Sequence, residues 1–319
     1  MFMGKTVSVI ICTHNRSAAL VNCLTSIREA ILAAPQAETE ILIVDNNSTD
    51  NTQAVVAVWQ AKHPDCKVRL VFEQQKGLSH ARNCGLSNAR GELLVMIDDD
   101  CVMDERYIVN ALAYDAQDTV PVLRGGSVFL GDPTDQPVTI KTATARQSWS
   151  KGRNSTRNEN LGNSLLGCNM MMRKTLVEQI GPFDTALGAG SSIPGGEDMD
   201  YIFRAYIHGF EIEYAPDLKI HHFHGRKTTE DGYKLFRNYS IGGGALYAKY
   251  FFSQPDFCRQ LYWDVKKLPG EWLRKENRFM PELKFTMTDK VRYSLKGMYM
   301  YWRSRLLSRG QAPRKAAVR

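Results

Sequence analysis

Residues 92–100 read ELLVMIDDD: an acid, five apolar residues, then three aspartates in a row. The apolar run is short and shows no polar alternation, which is the pattern of a strand buried on both faces of a parallel sheet. Upstream, residues 7–12 (VSVIIC), 40–44 (EILIV) and 68–72 read as three more such strands. Helical patterns separate them. The first runs from 17 to about 32 with apolar spacing at Leu20, Leu24, Ile27 and Ile31. The second is capped by Asp50 and carries Val55, Val56 and Trp59, and the third begins near Ser79. This β-α-β-α-β-α-β order predicts an α/β fold with a Rossmann-like, doubly wound, mostly parallel sheet and right-handed crossovers. In such sheets ligands bind at the carboxyl ends of the strands. The segments that follow strands one, two and four are THNR (13–16), DNNSTD (45–50) and DDD (98–100). All are polar, and the topology predicts that they share one edge.

The 319 residues suffice for one large α/β domain with an appendage, and 43% hydrophobic with 10% aromatic residues allows a sizeable core. The charge is uneven. Residues 255–319 hold 16 Lys/Arg against 6 Asp/Glu, a net of +10, while residues 1–254 hold 25 against 28, a net of −3. Such asymmetry points to an anionic surface partner. Seven cysteines without a C-x-x-C pair argue against a zinc knuckle and for reduced, buried thiols in a cytosolic protein. No signal-peptide pattern precedes the first strand, and no stretch of about 18 apolar residues occurs. A cytoplasmic place of work, against the inner face of the cell membrane, is the expectation.

Further along, residues 123–130 and 166–172 read as strands, 197–208 as a helix and 211–214 as a short strand. Residues 141–163 are polar and rich in Arg, Asn and Ser, and read as a flap over the site. From Thr228 the pattern is helical, interrupted by Gly242-Gly243-Gly244 and Pro269.

Three adjacent carboxylates at a sheet end repel one another, and a bound Mg²⁺ or Mn²⁺ bridging a diphosphate removes the conflict. The bland alternative is an acidic turn capping a helix. A second acidic stretch is PGGEDMD (194–200), whose glycines let the backbone approach a ligand and whose acids open a helix. A carboxylate there can serve as general base toward a hydroxyl. In HHFH (221–224), strand alternation places Ile220, His222 and His224 on one face. A metal or phosphate contact is expected of at least one of these histidines, His222 first.

The stretches VSVIICTHNR (7–16), ILIVDNNSTDNT (41–52) and KGLSHARNCGLSNARGELLVMIDDD (76–100) resemble the nucleotide-binding half of family 2 glycosyltransferases with the GT-A fold. GCNMMMRKTLVEQIGPFD (167–184) and GGEDMDYIFRAYIHGFEIEYAPDLKIHHFHG (195–225) resemble the acceptor half. The resemblance spans about residues 6–226 and keeps the family's motif order. It implies a catalytic domain over 1–228, with a nucleotide-binding half (1–100) and an acceptor half (101–228). A basic helical C-terminal extension then occupies 229–319. It implies that Thr13, Arg16, Asp45, Arg82, Asp98 and Asp99 contact the nucleotide, and that Asp98 and Asp100 are the ends of the D-x-D pair, one meeting ribose and the other the metal. Asp99 could replace either. Asp100, Asp98 and His222 become the metal ligands, and Asp198 the catalytic base with Glu197 beside it. Asn169, Gly196, His224 and Arg226 are weaker site candidates.

The implied activity is transfer of one sugar, with inversion, from a nucleotide-sugar donor to a saccharide or lipid-linked saccharide. UDP is the foremost nucleotide. A dehydrogenase would want G-x-G-x-x-G where this chain has Thr-His-Asn-Arg. A nucleotidyltransferase and a non-catalytic nucleotide-sugar-binding protein remain as alternatives, and a nucleic-acid partner is not expected. Processive synthases carry membrane spans and a Q-x-x-R-W motif, and neither is found here. On residues 289–308, Val291, Leu295, Met298, Trp302 and Leu306 form an apolar stripe flanked by Tyr299, Tyr301 and basic residues. That pattern suits an interfacial helix on an anionic membrane, or a helix packed on the catalytic domain or on a second subunit.

Overall fold

A computed structural model describes residues 4–151, 161–274, 277 and 279–310. The chain divides into two compact units. The first comprises Met1–Asp184 with Asp198–Thr228, and the second Thr185–Glu197 with Thr229–Arg319.

The first unit begins with β1 (Thr6–Thr13), α1 (Ser17–Leu32), β2 (Glu38–Asp45) and α2 (Thr52–Lys62). β3 (Lys67–Phe72), α3 (Leu78–Asn88) and β4 (Leu93–Asp98) follow. β3, β2, β1 and β4 lie side by side, all parallel. Burial shows why these runs are strands. Val7, Val9, Ile11, Ile41, Ile43, Leu93, Val95 and Ile97 join one buried cluster with Leu20, Leu24 and Ile27 of α1 and Val56 and Trp59 of α2. The intervening Ile10 and Val44 face α3, whose Gly85 sits close over both. Helices thus cover both faces, as continuous apolar strands require.

The chain continues through β5 (Cys101–Met103), α4 (Tyr107–Gln117), β6 (Val122–Leu130), β7 (Gln147–Trp149) and β8 (Asn169–Arg173). It closes with α5 (Lys174–Ile180), α6 (Glu197–Ile207) and β9 (Glu211–His222). The full sheet order is β3-β2-β1-β4-β8-β6-β9-β5, with β7 paired to β9. This second half is mixed: β8 is antiparallel to β4 and β6, whereas β6 and β9 are parallel. Arg173 and Lys5 both reach the buried Asp115 of α4, at 2.6 and 3.0 Å. They tie β8, β1 and α4 together.

Two readings of the sequence change here. The strand expected at 211–214 runs on to His222, past Pro216. A register shift between Gly126 and Val128 of β6 absorbs the proline, which lacks an amide hydrogen for the ladder. Part of the expected flap is sheet edge. Lys141 bridges Val128, and β7 pairs with β9. Arg146 is ion-paired to the buried Glu213, and the Lys141 ammonium lies 4.7 Å from the Tyr214 ring. Residues 152–160 of that stretch lie outside the described residues.

The second unit contains α7 (Thr229–Tyr250), α8 (Arg259–Arg274) and α9 (Met287–Gly310). α7 runs unbroken through Gly242-Gly243-Gly244, and α8 holds Pro269 within it. The glycines serve packing. A Cβ on Gly244 would stand 1.9 Å from the carbonyl oxygen of Ser294, and one on Gly297 1.9 Å from that of Ile241. α7 and α9 therefore cross backbone to backbone. Glu271 of α8 accepts the amides of Met287 and Thr288 at 2.8 and 3.0 Å, capping the otherwise unpaired first turn of α9. The apolar stripe expected on α9 divides. Val291 is buried, whereas Leu295, Trp302 and Leu306 are exposed. No helix among the described residues is long and apolar enough to cross a membrane.

Candidate active site

The strand register brings the polar loops to one edge: Thr13 lies opposite Asp45, and Cys12 opposite Asp98. The loops are stitched together. Asn15, at φ 55°, accepts the amides of Thr49 and Asp50 on its side-chain oxygen, at 2.7 and 3.2 Å. Asn46 donates to the carbonyls of Glu73 and Gln75, at 3.2 and 2.7 Å, and accepts the Gly77 amide at 2.8 Å. Asp45 is buried, accepting the Ser48 amide and the Gln53 side chain, both at 2.9 Å. Beside this rim a cleft of about 360 Å³ is lined by Asn15, Arg16, Asp50, Phe223 and His224.

The three aspartates differ. The Asp98 side chain keeps 33% of its surface exposed, while Asp99 and Asp100 are buried. Burial, with charged Asp98 and Asp100 alongside, raises Asp99 to about 7, against the pull of the Thr13 hydroxyl and Arg16. Burial would also raise Asp100. The His222 ring, with Nε2 3.3 Å from the carboxylate, and the Arg16 guanidinium reverse that and hold Asp100 near 2. In turn Asp100 outweighs burial at His222 and pushes it up to about 9. Asp98, Asp100 and His222 bring their ligand atoms within 4.8 Å of one another. Two carboxylates and an imidazole fit a hard or borderline divalent cation such as Mn²⁺ or Mg²⁺. Arg16 is held against Asp100 and Asp99, on the acid side of the rim.

Asp198 sits at the first turn of α6. One carboxylate oxygen accepts the Gly167 amide at 3.2 Å, the other the Met199 amide at 2.8 Å. Gly167 accepts Arg82 Nη2 at 3.0 Å, and the same nitrogen lies 3.5 Å from Asp98. Arg82 is buried over the Phe183 ring. Gly167 thus links the acid of α6 to the acid of β4. Its contribution is a peptide group, so no side-chain signal marks it in the sequence.

The remaining candidates have partners of their own. Asn169 accepts the Tyr107 hydroxyl at 2.6 Å and donates to the carbonyls of Ser127 and Leu218, so its side chain is used up inside the sheet. Asp200, an alternative base, is fully buried and paired to Arg204 at 2.9 Å. Glu197 is buried in the second unit. Gly196, at φ 87°, meets protein rather than open space: its Cβ would lie 3.1 Å from Gly242. His224 Nδ1 accepts the Arg226 amide at 3.1 Å and lies 3.5 Å from Asp135. Burial, with the charges of His222 and Arg226, lowers the His224 pKa.

Comparison with known proteins matches this geometry to a family. The family model for glycosyl transferase family 2 covers residues 8–181. Glycosyltransferase AglE of Haloferax volcanii is 26% identical over 214 residues, 66% of this chain and 65% of its own. The chain spans 65% of AglE's length, and 34% and 28% of two further curated relatives. Among solved structures, the mannosyltransferase PcManGT of Pyrobaculum calidifontis, in complex with GDP-Man and Mn²⁺, superposes with a TM-score of 0.51 at 18% identity. The overlap covers 96% of this chain and 75% of that one. S. aureus TarS in complex with UDP-GlcNAc gives 0.52 at 16% identity, over 97% of this chain and 93% of that one. These likenesses show the fold, GT-A with a helical C-terminal part. The family match runs from within β1 to just past α5, over more than half of the chain, and with it the protein belongs to glycosyl transferase family 2.

Proposed function

We propose that the protein is an inverting, metal-assisted glycosyltransferase that moves one sugar from a nucleotide-sugar donor to an acceptor hydroxyl. The observation that carries this reading is the joining of two acids across Gly167: Asp198, both of whose oxygens accept backbone amides, and Asp98, at the mouth of the Asp98–Asp100–His222 set. When bound there, a divalent cation supplies the positive charge that eases departure of a nucleoside diphosphate. Asp198, held at both oxygens by backbone amides, takes the proton of the acceptor hydroxyl as that oxygen attacks the anomeric carbon. A single displacement inverts the configuration. Arg82 fixes the spacing between the two acids, and the Asn15 and Asn46 clips hold the loops that face the nucleotide.

PcManGT with GDP-Man and TarS with UDP-GlcNAc support a nucleotide-sugar donor. UDP is the foremost candidate, with a saccharide or lipid-linked saccharide as acceptor. Turnover with UDP-, GDP- and dTDP-sugars is the test. It should release nucleoside diphosphate, stop with chelator, return with Mn²⁺ or Mg²⁺ and fall away in Asp100→Ala. Release of pyrophosphate would mark a nucleotidyltransferase instead, and full activity in chelator would remove the metal role.

A place at an anionic membrane belongs to the same reading. Trp272, Leu273, Leu295, Tyr299 and Leu306 of the second unit are exposed. They belong to the segment that carries the basic excess. Exposed aromatics beside Lys and Arg suit the headgroup region, where lipid-linked acceptors are found.

A further inference from the structure

Two thiols converge on the imidazole of the acidic site from behind. Cys101 opens β5 directly after the aspartates, and the antiparallel pairing of β5 with β9 sets it opposite His222. Cys168 immediately precedes β8. Both cysteines are free and buried. Their sulfurs and a ring nitrogen of His222 all lie within 4.8 Å of one another. Asp100 adds an oxygen 3.9 Å from the Cys101 sulfur and 3.3 Å from His222 Nε2. Ligand atoms around tetrahedral zinc stand about 3.3–3.8 Å apart, as metal–ligand lengths of about 2.0–2.3 Å require. A contraction of about 1 Å brings the two sulfurs and the ring nitrogen to that spacing, with Asp100 on the Cys101 and His222 side of the trio.

The chemistry of the donors separates the two ligand sets. Asp98, Asp100 and His222 suit an oxygen-seeking ion, whereas thiolates select thiophilic ones. Both sets use His222, and Asp100 borders both. We propose that Cys101, Cys168 and His222, with Asp100 as fourth ligand, form a site for a thiophilic divalent cation, Zn²⁺ or Cd²⁺, whose occupancy withdraws His222 and Asp100 from the Asp98 side. Each thiol, and the imidazolium of His222, releases a proton to solvent as the ion enters, so three protons leave per ion bound at neutral pH. Binding stands on the geometry alone. The competition rests on the proposed role of Asp98, Asp100 and His222 in donor turnover.

The test uses the full chain, reduced with a phosphine, and titrates Cd²⁺ while following the thiolate-to-cadmium charge-transfer band in the ultraviolet. The expected result is one tight Cd²⁺ per chain, displaced by Zn²⁺. Cys101→Ala and Cys168→Ala should each weaken it at least about 100-fold, since loss of a mere supporting hydrogen bond costs about 10–100-fold. Near-ultraviolet circular dichroism checks folding, and Cys101→Ser and Cys168→Ser stand in where an alanine variant fails. No stoichiometric band, or a band unchanged in both variants, overturns the site by assigning any thiolate to Cys12, Cys23, Cys66, Cys84 or Cys258. Zn²⁺ should also inhibit Mn²⁺-supported turnover of the native protein, and inhibit each cysteine variant at least about tenfold less, relative to its own rate. Tight, variant-sensitive binding without inhibition overturns the competition. Absence of any turnover in Mn²⁺ defeats the functional proposal instead, while the cadmium band still decides the thiol site.

Discussion

Asp198 and Asp200 stand two residues apart on α6 and are opposites in their surroundings. Asp198 is half-buried with no cationic partner among the described hydrogen bonds, whereas Asp200 is buried against Arg204. If Asp198 is the base, Asp198→Asn reduces turnover by about 10²–10⁴-fold while leaving donor affinity within a few-fold, as calorimetry with the nucleotide sugar would register. Normal turnover in that variant would move the base elsewhere. Asp200→Ala, by contrast, is expected to lower unfolding free energy by about 1–3 kcal/mol, since it removes the charged acceptor of Arg204 Nε and leaves that guanidinium to the carbonyls of Ile180 and Pro182. A stable Asp200→Ala protein would contradict this assignment. The positions of Thr13, Asp45 and Asp98 were legible because each ends a buried apolar run. The meeting of His222 with Asp100 was half legible: alternation along 220–224 gave the face, but nothing local gave the partner. Cys101 and Cys168 could not be paired beforehand, because β5 and the segment that leads into β8 meet only through the mixed half of the sheet.

At the scale of elements, close crossings and buried charges govern the fold. The α7–α9 crossing leaves no room for a side chain at Gly244 or Gly297. Gly297→Leu forces the helices apart and should cost about 1–3 kcal/mol or more, read as a lower denaturation midpoint with an unchanged first-unit spectrum. An unaltered midpoint would mean that the helices do not meet there. Helix-breaking glycines read as an interruption in sequence because propensity is local, whereas the contact that rewards them comes from residues 294 and 241. Asp115 gives a pH test. Burial alone would raise its pKa, but Arg173 and Lys5 outweigh that and lower it. A lowered carboxylate contributes stability that is complete above its unfolded value, near about pH 4, and is lost as pH falls through the folded value. The stability gap between the native protein and Asp115→Asn should therefore be constant at neutral pH and shrink below about pH 4. A gap that persists into acid would show that the ion pairs contribute nothing.

Over the whole molecule, the +10 of residues 255–319 coincides with the exposed Trp272, Leu273, Tyr299 and Leu306. Because α9 also packs on α7, deleting it would confuse lost docking with lost folding. Substitution is the cleaner probe. The native protein should float with anionic vesicles, weakly with neutral ones, and less in high salt. Trp272→Ser with Leu306→Ser should reduce flotation severalfold at unchanged helicity. Equal flotation of variant and native protein would leave these side chains without a membrane role. The fold class was readable from strand order. The mixed half was not, because β8 and β9 bury polar residues such as Asn169 and Glu213 that blur the apolar signal.

The second unit is assembled from two separated stretches of chain, and that bears on the order in which a ribosome delivers them. Residues 185–197 emerge early, yet Gly195 and Gly196 lie against Gly242 of a helix not yet made. The nascent parallel strands can collapse as they appear, but this loop must wait for α7, and α7 for the glycine-bearing face of α9. Glu197 closes the waiting segment and Asp198 follows it directly. Completion of the second unit is thereby coupled to synthesis of the last helix, and a ribosome stalled short of that helix would carry a sheet whose early loop still lacks its partners.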